Sequence, residues 1–510
     1  MAPLRTQPAG RATASTYFCA VPSAFFWHRL RTLARNFVDT ETVREGAYDM
    51  LRPDSWRVEP MNIRYAVAWI ALFLVLVPGA LEVQADEGPL TDKEKIWGLM
   101  QVWAEAKFNF PFFDQVPNLD WDASVQEYIP RVIAAEDTET YFDVLMEFAA
   151  QLKDGHTAVI PPWRLVKPGW DQPPVEVQVI GDRFFFAQVG VSEELQNQSV
   201  YPGLEILEIG NGTPIRTYFN DTVLRLGSRG TKQADEAVGL ITFLYGPSGS
   251  AVSLKVKDMD GTERDIALTR RSLQADGETF QWRLLEWYGA DPSVEVRSLA
   301  NGIMYIRLFN FMESEGRDQF REVFDRLDLR STKGIILDIR FNPGGDSSNA
   351  LDVVSYFIDE PVKAAMWRSI KYVPAYRSWG NEAEWEQSDP EIVQPREGAR
   401  YLGPLVVLTG PATFSSAEDF LVPLSYSGRA VLVGGTTAGS TGNPIYVDLP
   451  RGGKFRVVSK RDLFPDGREF VGYGIVPDVT VEPTQLDLFE GRDPVLRAGI
   501  EEITNWVSHR

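Results

Sequence analysis

The spacing of hydrophobic and polar residues changes twice along the chain, and each change predicts a different kind of structure. From about residue 91 to 152, apolar residues recur three and four positions apart in EKIWGLMQVWAEAKFNF and TETYFDVLMEFAAQL. This spacing predicts amphipathic helices, with Thr138 as the cap of the second. The turn and prolines of KDGHTAVIPP end the pattern. We therefore predict an N-terminal helical domain over residues 86–165.

Short alternating runs follow, among them VEVQVI, FFFAQV and VSLKVKDMDGTERDIALTR. Alternation with a period of two predicts half-buried strands, and Asp260-Gly261 lies between two such runs as in a β-hairpin. One helical run, DEAVGLITFLYG, interrupts the strands. These features predict a β-rich domain over residues 166–272.

From about Asn301, buried runs alternate with amphipathic ones: GIMYIRL, RDQFREVFDRL, KGIILDI, NALDVVSYFI, LVVLTG and AVLVGG. Continuous Val, Ile and Leu runs between helices are typical of an α/β domain with a largely parallel sheet. We predict this domain over residues 290–490, followed by a C-terminal helix in 491–510, where DPVLRAGIEEITNWV is amphipathic.

A hydrophobic segment begins at Met61: MNIRYAVAWIALFLVLVPGALEVQA. A basic residue, an apolar stretch and the A-x-A-like site Val83-Gln84-Ala85 are the layout of a secretory signal peptide. We therefore expect residues 61–85 to be a signal peptide, translation to start at Met61, and residues 1–60 to be a mis-called extension. The mature protein is then periplasmic or secreted, with no stable membrane span after cleavage; the alternative is a retained anchor.

The formal charge of −20 argues against nucleic acid or an anionic membrane as a partner, because both would repel the average surface. The single cysteine, Cys19, lies in the suspected extension, so the exported chain would have no thiolate nucleophile. The three histidines lie far apart and show no metal-ligand spacing, so we expect neither metal nor cofactor. The sequence leaves a homo-oligomer open.

Two loops follow predicted strands of the α/β domain, at the sheet edge where ligands bind in such folds. In LTGPATFSSAEDF, Ser415 and Ser416 lie at a strand-to-helix turn. Ser415 and Glu418 also fit the S-x-x-E capping box, so a purely structural role stays open. In FNPGG, the turn Asn342–Gly345 could present backbone N–H groups to an oxyanion, although an ordinary loop has the same composition.

A serine hydroxyl is a poor nucleophile without a neighbouring base, usually histidine or lysine. His28 lies in the suspected extension and His509 is next to the last residue. If the base is histidine, His156 in KDGHTAV is the candidate, although a lone loop histidine is more often a surface residue.

Five motifs in order, KDGHT, GIILDIRFNPGG, TGPATFSSAEDF, VLVGGTTAGSTG and DGREFVGYGIVPD, resemble the C-terminal processing peptidase and tricorn protease family. The resemblance covers roughly residues 90–485. It implies an α/β catalytic core of the ClpP/crotonase type, an inserted PDZ-like module at the β-rich domain, and a serine peptidase acting on peptides or unfolded proteins.

Carried over by position, the resemblance places the nucleophile at Ser415. It places the oxyanion donors on the backbone of Ser416 and of Gly344 or Gly345. The processing-peptidase branch uses a serine–lysine dyad, but Ser440 stands where its lysine would be. That branch's dyad is therefore missing.

The tricorn-like branch uses a histidine instead, and His156 occupies the matching position. That branch has a serine before its histidine, whereas this chain has Gly155, and its orienting glutamate aligns with Val471. Glu469, two residues away, is our candidate for the orienting residue. Glu418 is an alternative, but capping is the safer interpretation of that residue.

The leading hypothesis is an exported serine peptidase using Ser415 and His156. Its rival is a non-catalytic protein that binds apolar ligands or peptides on the same scaffold, because retinoid-binding modules of the photoreceptor matrix also resemble this family. A third hypothesis is an adaptor whose PDZ-like module adds a peptide as an edge strand. For that module we expect a substrate C-terminus to bind at the turn Tyr201–Leu204.

Overall fold

A computed structural model describes residues 88–163, 167, 169–271 and 292–508. The predicted extension and signal segment lie outside these residues, as do Cys19, His28 and His509. Among the described helices, none has the length and hydropathy needed to cross a bilayer.

Three helices open the described chain, and a short strand follows them. They are α1 (Asp92–Asn109), α2 (Trp121–Ala134), α3 (Thr138–Ala150) and β1 (Ala158–Ile160). The predicted cap at Thr138 is wrong by one residue, since the Asp137 carboxylate accepts the N–H of Thr140 and Thr138 is the first helical residue. Helix α2 was not predicted separately.

The next segment is rich in strands, as predicted. Its elements are β2 (Trp170–Asp171), β3 (Val175–Ile180), β4 (Arg183–Val189), α4 (Glu193–Asn197), β5 (Glu205–Ile209), β6 (Thr213–Pro214), α5 (Ile215–Tyr218), α6 (Lys232–Val238), β7 (Gly246–Pro247), β8 (Ala251–Lys257) and β9 (Glu263–Thr269). The main sheet has the order β3-β4-β5-β8-β9, with β6 beside β5 and every pairing antiparallel. The predicted hairpin at Asp260-Gly261 is confirmed as β8–β9.

The remaining segment contains the predicted strands and helices in the predicted order, together with further short strands that the hydrophobic runs did not predict. They are β10 (Val294–Ser298), β11 (Ile303–Leu308), α7 (Ser314–Arg326), β12 (Gly334–Asp338), α8 (Ser347–Val354), β13 (Val362–Lys363), β14 (Met366–Lys371), α9 (Pro374–Ser378), β15 (Glu384–Gln387), β16 (Ile392–Val393), β17 (Leu405–Thr409), α10 (Ser416–Tyr426), β18 (Val431–Gly434), β19 (Ile445–Asp448), β20 (Lys454–Val457), β21 (Arg461–Leu463), β22 (Val479–Thr480), α11 (Gln485–Phe489) and α12 (Pro494–Ser508).

The central sheet has the order β10-β11-β12-β17-β18-β22. Strands β11 to β22 in this order are parallel to their neighbours, and β10 is antiparallel to β11. The mainly parallel α/β sheet is therefore confirmed. Its parallel arrangement brings the carboxyl ends of β12 and β17 together, and the FNPGG and FSSAE loops follow these two strands.

Buried side chains fall into three clusters. One joins α1–α3 to the α/β segment, with Leu99 and Phe142 in the same cluster as Phe420 and Phe455. Another lies within the β-rich segment, and a third covers the other face of the central sheet beneath α12. The helical segment thus shares its core with the α/β segment, and β1 also pairs with β20 there.

Candidate active site

Ser415 is held in a strained turn between a buried strand and a helix. Every residue of β17 is buried, and α10 begins at Ser416. Ser415 has φ 59° and ψ −128°, a conformation that costs a non-glycine residue on the order of 1–3 kcal/mol. Its side chain makes no capping hydrogen bond, so the capping-box interpretation of Ser415 is wrong.

The hydroxyl of Ser415 instead contacts His156. The His156 Nε2 lies 2.9 Å from Ser415 Oγ, and Nδ1 lies 2.8 Å from Ser440 Oγ. The ring is buried and stacks on Phe414, with ring centroids 4.4 Å apart and planes 7° apart. Its backbone N–H donates to Asp154 Oδ1 at 3.0 Å. The structure thus brings Ser415 and His156 together, with Ser440 on the opposite side of the imidazole.

Burial lowers the pKa of His156 well below its usual value, and the charges of Arg456 and Lys460 lower it further. Arg456 is close, since its Nη2 donates to the carbonyl oxygen of Gly155 at 2.7 Å. A neutral imidazole is therefore the form present at neutral pH. Neutral imidazole can accept a proton at one nitrogen while the other donates.

Glu418 does not cap the helix either. Its carboxylate is buried and accepts three hydrogen bonds from the loop before β19: from Thr437 Oγ1, from the N–H of Gly439 at 2.8 Å and from the N–H of Ser440 at 2.8 Å. Burial raises the pKa of Glu418 to about 7, although these hydrogen bonds oppose the shift. Glu418 therefore fixes the backbone that carries Ser440.

Glu469 is not the orienting residue. Its Oε1 accepts hydrogen bonds from Arg368 at 2.8 Å and from Arg461 at 3.0 Å, while serine hydroxyls occupy both nitrogens of His156. Val471, the aligned position, is buried and contributes a carbonyl to Gln115. Sequence proximity to the aligned position was thus misleading.

The glycine turn after β12 lies directly against Ser415. Gly344 and Gly345 have φ values of 89° and 143°. A Cβ on Gly344 would lie 2.6 Å from Ser415 Cβ and 2.7 Å from the N of Ser416, and one on Gly345 would lie 2.3 Å from the N of Met312. Both positions therefore require glycine for close backbone approach.

The two glycines differ in the availability of their amides. The N–H of Gly344 donates to Asn342 Oδ1 at 2.9 Å, so Gly344 is not a free oxyanion donor. Among the described residues, the N–H groups of Gly345 and Ser416 have no hydrogen-bond acceptor. Of the predicted donors, Gly345 and Ser416 are therefore the two whose N–H groups are free to donate to an oxyanion.

Lys460 is the lysine whose charge acts on His156, and its own amine is not available as a base. Its Nζ lies 2.7 Å from Asp462 Oδ1. Burial alone would lower the pKa of Lys460, but Asp462 and Asp419 outweigh it and the net pKa is raised. The amine is therefore charged, and a charged amine accepts no proton.

The β-rich segment contacts the loop that carries Ser440. Thr231 Oγ1 donates to the Ala438 carbonyl at 2.7 Å, and Gln233 Nε2 donates to the carbonyls of Thr437 at 3.1 Å and Tyr473 at 2.8 Å. The segment therefore helps to hold this loop in place.

The turn Tyr201–Leu204 does not offer the amides that a substrate C-terminus would need. Pro202 has no N–H, Gly203 donates to the Phe186 carbonyl at 2.8 Å, and Leu204 donates to that of Tyr201 at 3.2 Å. Helix α11 also covers this turn, with Gln485 Nε2 donating to Gly203 O at 2.9 Å. The predicted carboxylate site at this turn is therefore wrong.

The described residues contain no group of three or more His, Cys, Asp or Glu placed to hold a metal ion. The assembled groups are a hydroxyl, an imidazole in contact with it and two unpaired backbone amides. Such groups can activate a serine nucleophile and bind the negative charge that forms when it attacks a carbonyl carbon. Sequence reasoning found these groups, but it did not assign a role to Ser440.

Residues 302–481 match the model of peptidase family S41. The chain is 24% identical over 264 residues to the carboxy-terminal processing protease CtpA of Bacillus subtilis (strain 168), covering 51% of this chain and 49% of that protein. It is 25% identical over 438 residues to the carboxyl-terminal-processing protease of Picosynechococcus sp., covering 81% and 88%. The chain thus spans about half the length of the Bacillus protein it matches.

Among solved structures, mature CPAF complexed with lactacystin superposes with a TM-score of 0.64 at 17% identity, covering 82% of this chain and 99% of that chain. A second structure of mature CPAF gives the same TM-score at 18% identity. At this identity the likeness concerns the fold, which both chains share over most of their length.

Proposed function

We propose that the chain is a serine peptidase of family S41 that hydrolyses peptide bonds with Ser415 as nucleophile and His156 as general base. The observation that carries this assignment is the 2.9 Å contact between His156 Nε2 and Ser415 Oγ. It joins the two residue types that acyl transfer requires within the distance for proton transfer.

In the first step, Ser415 Oγ attacks the carbonyl carbon of the scissile bond while its proton passes to His156 Nε2. The carbonyl oxygen becomes an oxyanion, which accepts hydrogen bonds from the N–H groups of Gly345 and Ser416. The C–N bond then breaks, the amine leaves with the proton from Nε2, and an acyl-enzyme ester remains. Water repeats the sequence on the ester and releases the second product.

The substrate class follows from the family: peptides or unfolded proteins whose backbone can enter the site in extended form. We assign the α/β segment to the ClpP/crotonase type and the β-rich segment to a PDZ-like module. The second assignment is supported by the six-stranded antiparallel sheet with its own buried cluster. Because the turn Tyr201–Leu204 is covered, the module would bind a peptide elsewhere or serve only to hold the Ser440 loop.

The alternative is a protein that binds apolar ligands or peptides without cleaving them. Such a protein would have no need for a strained serine in contact with an imidazole, since strain persists only where function or surrounding structure maintains it. The contact therefore favours the peptidase.

Labelling with a fluorophosphonate probe tests the proposal, because the probe reacts with activated serines. Wild type should label, Ser415→Ala should not, and His156→Ala should lose labelling and cleavage by several orders of magnitude. Ser425→Ala, in the same helix as Ser416 but outside the site, should label like wild type. If the wild type neither labels nor cleaves an unfolded protein, the binding protein is the better description.

Export is the second part of the proposal, and it rests on the signal-peptide layout of residues 61–85. The protein from its native host should begin near Asp86, which N-terminal sequencing would show. Recovery of residues 1–60 on the mature chain would disprove the assigned start at Met61.

A further inference from the structure

We propose that Ser440 is the residue that positions His156 for catalysis, and that Glu418 holds Ser440 in place. The pair would take the orienting role that the sequence predicts for Glu469. This inference rests on the proposed function, because it matters only if His156 is the base for Ser415.

The imidazole must carry its proton on a particular nitrogen. For Nε2 to accept the Ser415 proton, Nδ1 must hold a hydrogen and donate it. The acceptor at Nδ1 is Ser440 Oγ, 2.8 Å away. In serine peptidases of other folds a carboxylate holds the equivalent hydrogen, and its loss leaves the wrong tautomer. Here an uncharged hydroxyl occupies that place.

Ser440 can act in this way only if it is itself fixed, and three contacts fix it. Its N–H donates to Glu418 Oε2 at 2.8 Å, and its carbonyl accepts the N–H of Ser415 at 3.0 Å. The preceding N–H, that of Gly439, donates to Glu418 Oε1 at 2.8 Å. Ser440 and Glu418 are both fully buried, so water does not compete for these hydrogen bonds.

Gly155, the residue before His156, leaves the space that the Ser440 hydroxyl occupies beside the imidazole. A Cβ on Gly155 would lie 2.8 Å from Ser440 Oγ and 2.8 Å from the ring of Phe414. The hydroxyl of Ser440 therefore fills the space that a side chain at position 155 would need. The two departures from the related peptidases, glycine at 155 and serine at 440, form one compatible pair.

Substitution of Ser440 with a neighbouring control tests the role. Ser440→Ala removes the acceptor for Nδ1, so kcat should fall on the order of a hundredfold, with KM near wild type. Thr441→Val is the matched control, because Thr441 Oγ1 is buried beside Ser440 and has no hydrogen-bond partner among the residues that the structure describes. That variant removes a hydroxyl of the same loop without breaking a hydrogen bond between described residues, and it should keep kcat within about threefold of wild type.

The pH profile separates positioning from general damage. Without an acceptor at Nδ1 the imidazolium is less favourable, so the acid limb of kcat/KM should move to lower pH in Ser440→Ala. It should not move in Thr441→Val. A structural defect would lower the amount of active enzyme without moving the limb.

Ser440→Cys keeps the shape of the side chain with a weaker acceptor, so its kcat should fall between those of wild type and Ser440→Ala. If Ser440→Ala does not fold, the kcat of Ser440→Cys tests the positioning role in its place: a lowered kcat supports the role, and a wild-type kcat rejects it. A kcat of Ser440→Ala within threefold of wild type would overturn the proposal, as would equal losses in Ser440→Ala and Thr441→Val. Ser415→Ala is measured in parallel: if it remains active, the proposed function has failed, whereas an inactive Ser415→Ala beside an active Ser440→Ala rejects the positioning role alone.

Discussion

Ser415 and Ser440 are linked in two ways, by a backbone hydrogen bond and through the imidazole of His156. The N–H of Ser415 donates to the carbonyl oxygen of Ser440 at 3.0 Å, and the imidazole of His156 lies between their two hydroxyls. The three residues therefore form a closed ring of contacts, in which the backbone sets the distance that the imidazole has to span. A shift of either loop would lengthen a contact to His156.

The first prediction concerns the pH at which His156, the proposed base, becomes active. Because burial and the nearby cations lower the pKa of His156, the neutral and active form should persist well below pH 6.5, and labelling should rise with pH through a midpoint below that value. Removal of the Arg456 charge in Arg456→Gln should move the midpoint upward. Labelling rates measured from pH 4 to 9 would show both effects.

Arg468→Gln is the control for that shift, since Arg468 pairs with Asp466 at the surface and does not act on His156. A wild-type midpoint at or above pH 6.5 would contradict the description of a buried base. A midpoint in the range of a lysine would indicate a different base altogether.

The second prediction concerns the glycine turn. Gly345→Ala should abolish activity, because a Cβ there meets the backbone of Phe311 and Met312 and would displace the amide proposed as oxyanion donor. Gly344→Ala should do the same by pushing against Ser415 Cβ. Loss of one such donor costs about a hundred- to a thousandfold in kcat. Gly467→Ala, with open space around its Cβ position, is the control for a glycine at positive φ.

The third prediction separates strain from chemistry at Ser415. Both Ser415→Ala and Ser415→Gly should be inactive, but the glycine variant should be the more stable by about 1 kcal/mol, since glycine adopts the observed φ and ψ without strain. Urea unfolding would measure the difference. Ser425→Gly, within α10, should instead lose about 0.5 kcal/mol. A less stable Ser415→Gly would show that the turn is not strained.

The fourth prediction concerns stability and pH. The pKa of Glu418 is about 7 in the folded protein, above its ordinary value of 4.5, so the folded state binds the proton more tightly than the unfolded state. The free energy of unfolding should therefore fall as pH rises from 4.5 to 7, by as much as about 3 kcal/mol from this residue. Asp419, whose pKa is also raised to about 7, adds to the same trend.

Glu418→Gln should flatten that dependence, because it removes the titrating group and leaves Asp419. The comparison uses urea unfolding of wild type and variant at several pH values. Glu482→Gln, at an exposed position, should follow the wild-type curve. If the curves of wild type and Glu418→Gln run parallel, Glu418 does not titrate in this range.

The fifth prediction follows from the correction at Glu469. Glu469→Gln should leave kcat within a few fold of wild type, because the carboxylate contacts Arg368 and Arg461 rather than the imidazole. It should reduce the free energy of unfolding modestly, because the buried Arg461 guanidinium loses one of the negative charges that pair with it. A loss of kcat comparable to that of His156→Ala would restore Glu469 to the site.

Much of the fold could be predicted because it depends on local pattern. Continuous apolar runs indicate buried strands, and these runs form β11, β12, β17 and β18. Apolar residues three and four positions apart indicate amphipathic helices, and these form the helices between the strands. Helix α2 was harder, since Pro130 interrupts its sequence. Ser415 and His156 were found through motif order rather than through periodicity.

Ser440 and Glu418 could not be assigned in the same way. The S-x-x-E pattern indicates a cap only if the serine has the backbone angles of a cap, and Ser415 does not. The role of Ser440 depends on a contact with a histidine 284 positions earlier, which no local pattern encodes. Glu469 was chosen for its position in the sequence, and its side chain pairs with arginines instead.

The separation of His156 from its partners also sets the order in which activity can arise. Ser415 follows it by 259 positions and Ser440 by 284. During synthesis the proposed base is made long before the proposed nucleophile, and an unfolded chain holds the two far apart. Under the proposed mechanism, hydrolysis can begin only after the last third of the chain has been synthesised and has folded against the first third. The nascent chain is therefore inactive during its synthesis.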